Sequence, residues 1–114
     1  MPHCIIEYSS DVTDQISIEA LVAATHQGAL SSGLFAEYDI KTRAMAYEHH
    51  QTGSTRDSFV HVTVRLLSGR DDAQKSELSE KILAQIESLL PRVVSVGVEI
   101  SDMHRESYRK RVLD

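Results

Sequence analysis

The sequence predicts an α+β fold in which a β-α-β unit occurs twice, giving one four-stranded mixed sheet with two helices on one face. Three observations lead there. Two stripes of apolar residues at helical spacing, Ile18–Leu30 and Ala73–Leu90, begin about 55 residues apart, and self-similarity at such a period marks a repeated supersecondary unit. Each stripe lies between two segments of strand character, and strands alternating with helical patterns read as β-α-β units. Crossovers between side-by-side strands are right-handed almost without exception, which puts both helices on the same face.

The elements follow in order. Residues 2–8 are β-branched in the middle and run into Ser9, Ser10 and Asp11, a strand leading to a turn. Pro2 suits the first strand position, where its missing N–H removes no bond from a strand interior. Ser17 is a fitting N-cap with Glu19 in the first turn; Ile18, Leu21, Val22, Ala29 and Leu30 keep helical spacing up to Gly33, a natural C′ residue. Tyr38–Tyr47 reads as extended, and the polar stretch from His49 to Ser54 as a loop. Phe59–Leu67 is the strongest strand, closed by Ser68-Gly69. Asp71 and Asp72 favour the start of a second helix whose buried stripe is Leu78, Ile82, Ile86, Leu89 and Leu90, with Pro91 as its stop. Val94, Val96, Val98 and Ile100 alternate with small or polar residues as the last strand. The charged tail from His104 to Asp114 reads as a short helix or as an arm reaching a neighbouring subunit.

A chain of 114 residues is expected to form one domain, because two cores would each bury too little apolar surface. The division is two halves, about 2–55 and 58–102, plus a C-terminal arm. No apolar stretch is long enough for a bilayer-spanning helix, and no basic, then apolar, leader opens the sequence. One cysteine, Cys4, excludes an internal disulfide. These features fit a cytoplasmic protein that binds no membrane. A net charge of −5 without a Lys/Arg run makes nucleic acid a poor partner. The opposite sheet face, read as partly apolar from the alternating valines of the last strand, would need other subunits as its second layer.

Met1-Pro2-His3-Cys4-Ile5-Ile6-Glu7-Tyr8, the doubled β-α-β pattern and the segment Phe59–Arg70 together resemble the 5-carboxymethyl-2-hydroxymuconate isomerases of the tautomerase superfamily. The similarity extends through Ile40–Arg43 and through Glu99-Ile100 with His104. It implies a tautomerase-like domain over residues 1–114, a homotrimer, and an amino-terminal proline at each active site. It also implies a substrate from bacterial degradation of homoprotocatechuate.

The chemistry can also be built from the residues. Tautomerisation moves a proton between oxygen and carbon along a conjugated chain, so it needs one group acting first as base and then as acid, with a pKa near the working pH. A free α-amine starts at about 7.7–8.0; burial at Pro2 and nearby guanidinium groups would lower it. Met1 must be removed, because an acylated Pro2 nitrogen is an amide without useful basicity. The carboxylates of the small-molecule substrate need clamps, and arginine offers a planar two-point fork. Arg43 in the second strand and Arg70 before the second helix are the candidates, Arg70 gaining from first-turn helix amides aimed at bound anions. Either arginine could instead pair with a surface carboxylate. His3, beside the base, and His61, in the central strand, are further substrate-binding candidates, although a lone strand histidine such as His61 is more often structural. Cys4 reads as a buried inert thiol, Glu99 as facing either the site or solvent, and His49-His50 as a solvated loop without a metal. With neither GxGxxG nor a P-loop, no cofactor is expected. The competing functions are hydration or dehalogenation of an unsaturated acid through Pro2 as an acid, and a trimeric binding protein without catalysis.

Overall fold

The computed structural model describes residues 1–113. Its elements are β1 (His3–Ser9), α1 (Ile18–Ser31), β2 (Lys41–Tyr47), β3 (Phe59–Leu67), α2 (Asp72–Glu87) and β4 (Ser95–Met103), with short 3-10 turns at Ser10–Asp14, Glu37–Asp39 and Arg105–Ser107. The sheet order is β2-β1-β3-β4. β1 runs parallel to β2 and β3 parallel to β4, while β1 and β3 are antiparallel. Two parallel β-α-β units thus meet through their first strands.

The helices begin where the caps dictate. The Ser17 side chain accepts the Ala20 amide, and Gly33 takes a positive φ of 74° just past the end of α1, a conformation costly for any residue with a Cβ. At α2, Asp71 accepts from the Gln74 amide and the Gln74 side chain accepts from the Asp71 amide, a complete capping box. Leu21, Thr25, Gly28 and Ala29 of α1 and Leu78, Ile82 and Ile86 of α2 are buried. Gly28 lies so close to α2 that a Cβ there would stand 2.8 Å from the Ile82 Cα. The core is completed from the sheet by Cys4, Ile6 and Tyr8 of β1 and Val60, Val62 and Val64 of β3.

Four expectations are corrected. Leu89 is exposed, because it lies past the end of α2, where the helical stripe no longer applies; Leu90 alone of that pair turns inward. Val94 is outside β4 and exposed. Tyr38 sits in a 3-10 turn rather than a strand, also exposed. The valines of β4 face the helices: Val96 and Val98 stand beside the buried Val60 and Val62 in the register. The opposite face is instead mixed, carrying the hydrogen-bonded pairs Tyr47–Glu7 and His61–Glu99. The His104–Leu113 tail folds onto its own chain: Tyr108 reaches His3, and the Lys110 ammonium lies 3.6 Å from Asp39. Asp114, the last residue of that arm, lies outside the described residues.

Candidate active site

The strand β1 delivers its N-terminus to one end of the sheet, where the β3–α2 turn and the C-terminal tail also arrive. Pro2 is fully buried, and its carbonyl accepts the Lys41 amide at 3.0 Å, so the β1–β2 pairing reaches back to it through the one ladder group that proline retains. Met1, the residue before it, lines a cavity of about 860 Å³. The other walls are Asp39, Leu67, Gly69, Arg70, Arg105, Tyr108, Arg109 and Lys110. Four cationic side chains thus face one carboxylate, in a chain whose net charge is −5. That concentration of one sign attracts an anion against the field of the whole protein.

The Met1 amine shows what this position does to a basic nitrogen. Burial holds it below its ordinary value of 8.0; the Asp39 carboxylate opposes that shift, and Lys110, Lys41 and Arg70 add to it. Asp39 is 3.9 Å from the amine.

Arg70 is fixed by its own neighbours. Its Nη2 donates to the Leu34 carbonyl at 3.0 Å, and its guanidinium lies 5.3 Å from the Phe35 ring centroid, within cation–π range. Among the described residues it makes no ion pair with a carboxylate, and neither does Arg43. In the first turn of α2, the Asp71 carboxylate already occupies the Gln74 amide, so that donor is taken. Arg105 arrives from the tail and grips the Ser68 carbonyl through Nε at 3.1 Å and Nη2 at 2.7 Å. Gly69, at φ 131°, turns the chain there and leaves room for that side chain.

His3 and Arg43 lie in a second cavity of about 440 Å³ with Arg65, Asp102, Met103, His104 and Ser107. Arg43 Nη1 donates to His3 Nδ1 at 3.2 Å, and His3 Nε2 is 3.1 Å from the Tyr108 hydroxyl. Burial, then Arg43, hold the His3 imidazole below its usual pKa. Tyr108 lines both cavities.

The structure therefore brings Pro2, His3, Arg43 and Arg70 to one end of the sheet and leaves His61 out. In the β1–β3 register Arg65 is opposite His3, whereas His61 is opposite Glu7. Four residues of strand separate the two, about 13 Å at 3.3 Å per residue. His61 Nε2 instead meets Glu99 Oε1 at 2.6 Å, and that hydrogen bond keeps the Glu99 carboxyl below its ordinary range. Cys4 points into the core, and burial pushes its thiol up to about 11.

Sequence reasoning missed Asp39, Arg105, Tyr108, Arg109 and Lys110. The available signal was the tail itself: an aromatic residue set among five basic ones between His104 and Arg111, dense positive charge in an acidic chain. Among the described residues no helix is long and apolar enough to cross a membrane.

A doubled β-α-β sheet with buried Pro2 at the same end as a cationic cavity is a tautomerase-like fold. Residues 2–111 match the family model of 5-carboxymethyl-2-hydroxymuconate isomerase, and the chain belongs to that family. It is 22% identical over 111 residues to the 5-carboxymethyl-2-hydroxymuconate Delta-isomerase of Escherichia coli, covering 91% of this chain and 88% of that one. A crystal structure of a 5-carboxymethyl-2-hydroxymuconate isomerase from Deinococcus radiodurans R1 superposes with a TM-score of 0.86 at 21% identity, over 96% of this chain and 88% of that one. A fused 4-OT wild type symmetric trimer shares the fold with a TM-score of 0.75 at 16% identity, over 90% of this chain and 85% of that one.

Proposed function

We propose that this isomerase is a keto–enol tautomerase of 5-carboxymethyl-2-hydroxymuconate or a similar unsaturated polycarboxylate, with Pro2 as its proton shuttle once Met1 is gone. The observation that supports the reading is the convergence at one end of the sheet of Pro2, buried at the start of β1, and a cavity lined by Met1, Arg70, Arg105, Arg109 and Lys110. Once Met1 is removed, Pro2 carries a free secondary amine next to the residue position that lines this cationic cavity. Such an amine is held by β1, so little orientational freedom remains to be lost at the transition state.

In the forward direction the neutral Pro2 amine takes the proton of the substrate hydroxyl. The oxygen lone pair closes to a carbonyl as electron density moves along the conjugated chain. The Pro2 ammonium then returns one proton to a carbon of that chain, leaving atoms and charge unchanged overall. Arg70, with Arg105 beside it, holds a substrate carboxylate, and Arg43 and His3 meet the other end of the substrate. His61 has no part in this scheme. The same reading takes residues 1–114 as one domain of halves 2–55 and 58–102 with a C-terminal arm, acting in the cytoplasm as a homotrimer without a cofactor.

The test is an absorbance assay of keto–enol conversion with the Met-free protein and with Pro2→Ala. The proposal expects the alanine protein, whose primary amine is displaced and less rigid, to lose roughly 100-fold or more in kcat, within the range a positioned acid–base group supplies. A Pro2→Ala rate within a few-fold of wild type would end it.

A further inference from the structure

We infer that Tyr108 is a catalytic hydrogen-bond donor to the oxygen that gains and loses the proton, and that His3 and Arg43 set the direction of its hydroxyl. The inference rests on the tautomerase reading above and adds a residue to it.

Arginine has five N–H donors and no acceptor. Arg43 Nη1 lies 3.2 Å from His3 Nδ1, so that nitrogen must present its lone pair. The imidazole is therefore neutral and carries its proton on Nε2. A protonated ring would have no acceptor for Arg43, and burial with the Arg43 charge disfavours that form in any case. Nε2 is 3.1 Å from the Tyr108 oxygen, and with its proton in place it donates to that oxygen. Tyr108 is thereby the acceptor in this bond, and its own O–H is left to donate elsewhere. Among the described residues the Tyr108 hydroxyl has no other hydrogen-bond partner.

The place to which it can donate follows from its position. Tyr108 is half-buried and lines both the cavity that holds Met1 and Arg70 and the one that holds His3 and Arg43. The His3 and Tyr108 rings meet edge to face at 69° with centroids 6.2 Å apart, which restrains the tyrosine ring. A substrate spanning from Arg70 to Arg43 passes the hydroxyl. Its polarised O–H is a donor whose direction is fixed before substrate arrives, the property that makes stabilisation of a developing oxyanion effective. Donation from His3 Nε2 also strengthens the Tyr108 O–H as a donor, since chained hydrogen bonds polarise one another.

The experiment measures kcat and KM for Tyr108→Phe, His3→Gln, His3→Leu and Pro2→Ala, each confirmed by mass to have lost Met1. Tyr108→Phe keeps the ring and removes only the hydroxyl. Its kcat should fall roughly 10- to 100-fold, somewhat less than the loss of a fully enclosed oxyanion donor, with KM changing less than about threefold. His3→Gln keeps an acceptor and a donor and should lose less than His3→Leu, and adding His3→Leu to Tyr108→Phe should cost little more. A Tyr108→Phe kcat within about threefold of wild type, or a loss confined to KM, overturns the inference, as do equal losses for the two His3 variants. If Pro2→Ala is inactive and Tyr108→Phe is normal, only the tyrosine role fails. If Pro2→Ala is fully active, the proton shuttle fails as well.

Discussion

Replacing Gly28 with alanine tests how closely the two β-α-β halves are packed. An alanine Cβ would stand 2.8 Å from the Ile82 Cα and 3.2 Å from both the Ile82 Cγ1 and the Lys81 carbonyl. Two of those three atoms are backbone, so a rotamer change cannot relieve the contact; α1 and α2 must move apart. Overpacking of this kind costs about 1–3 kcal/mol, and a backbone clash at a helix crossing belongs at the upper end, about 3. Alanine returns about 1 kcal/mol through its better helix propensity. The net is a loss of about 2 kcal/mol, or about 8 °C in Tm at roughly 4 °C per kcal/mol for a chain of this size. Thermal denaturation at matched protein concentration is the assay, because any assembly makes Tm depend on concentration. The movement should also reach the site, since α1 leads directly into the Leu34-Phe35 segment that holds Arg70. An unchanged or raised Tm would refute the claim that Gly28 sets the spacing of the helices.

Other outcomes follow from the site. Arg70→Ala should raise KM for a dicarboxylate substrate roughly tenfold or more, the equivalent of a charge-assisted hydrogen bond of about 1.5–3 kcal/mol. A neutral simple enol should change far less, and equal effects on the two would remove the clamp role. Stability should depend on pH through His3. Its folded pKa lies below the ordinary 6.5, so the unfolded chain binds a proton that the folded chain does not as the pH drops. The contribution is intact above pH 6.5 and is lost as pH falls toward the lower folded value. Denaturant titrations at about pH 8 and about pH 5.5 should show a shallower loss for His3→Gln than for wild type; the same loss in both would show that His3 is not the source.

How far the sequence could be read depended on whether a local rule decided each feature. β3 was legible residue for residue, Phe59–Leu67, because its run of β-branched residues ends at Ser68-Gly69. Ser17 caps α1 through the side-chain bond that its reading as an N-cap implied, whereas Asp71, read only as favouring the start of α2, turns out to accept the Gln74 amide in a capping box. Thr25 escaped notice on the buried face of α1, since its hydroxyl satisfies itself on the Leu21 carbonyl at 2.9 Å and polar residues do not mark a stripe. The β4 valines show a different limit. Period-two alternation identifies a strand but not which face is inward; only the pairing of Val96 with Val60 decides it. Pro2, His3, Arg43 and Arg70 were legible as site candidates from chemistry and resemblance together. Tyr108, Arg105, Arg109 and Lys110 were not, because the tail has no periodic pattern and enters the site through long-range contacts, Tyr108 reaching back 105 residues to His3.

If Pro2 shuttles the proton, its nitrogen must be a free secondary amine beside the cationic cavity. The decisive experiment separates Met1-bearing from Met1-free protein, verifies each by intact mass, and measures the tautomerase rate of both at equal concentration. Turnover should belong wholly to the Met1-free form, so that the rate of any mixture tracks its fraction. Equal turnover by protein that retains Met1 would contradict it.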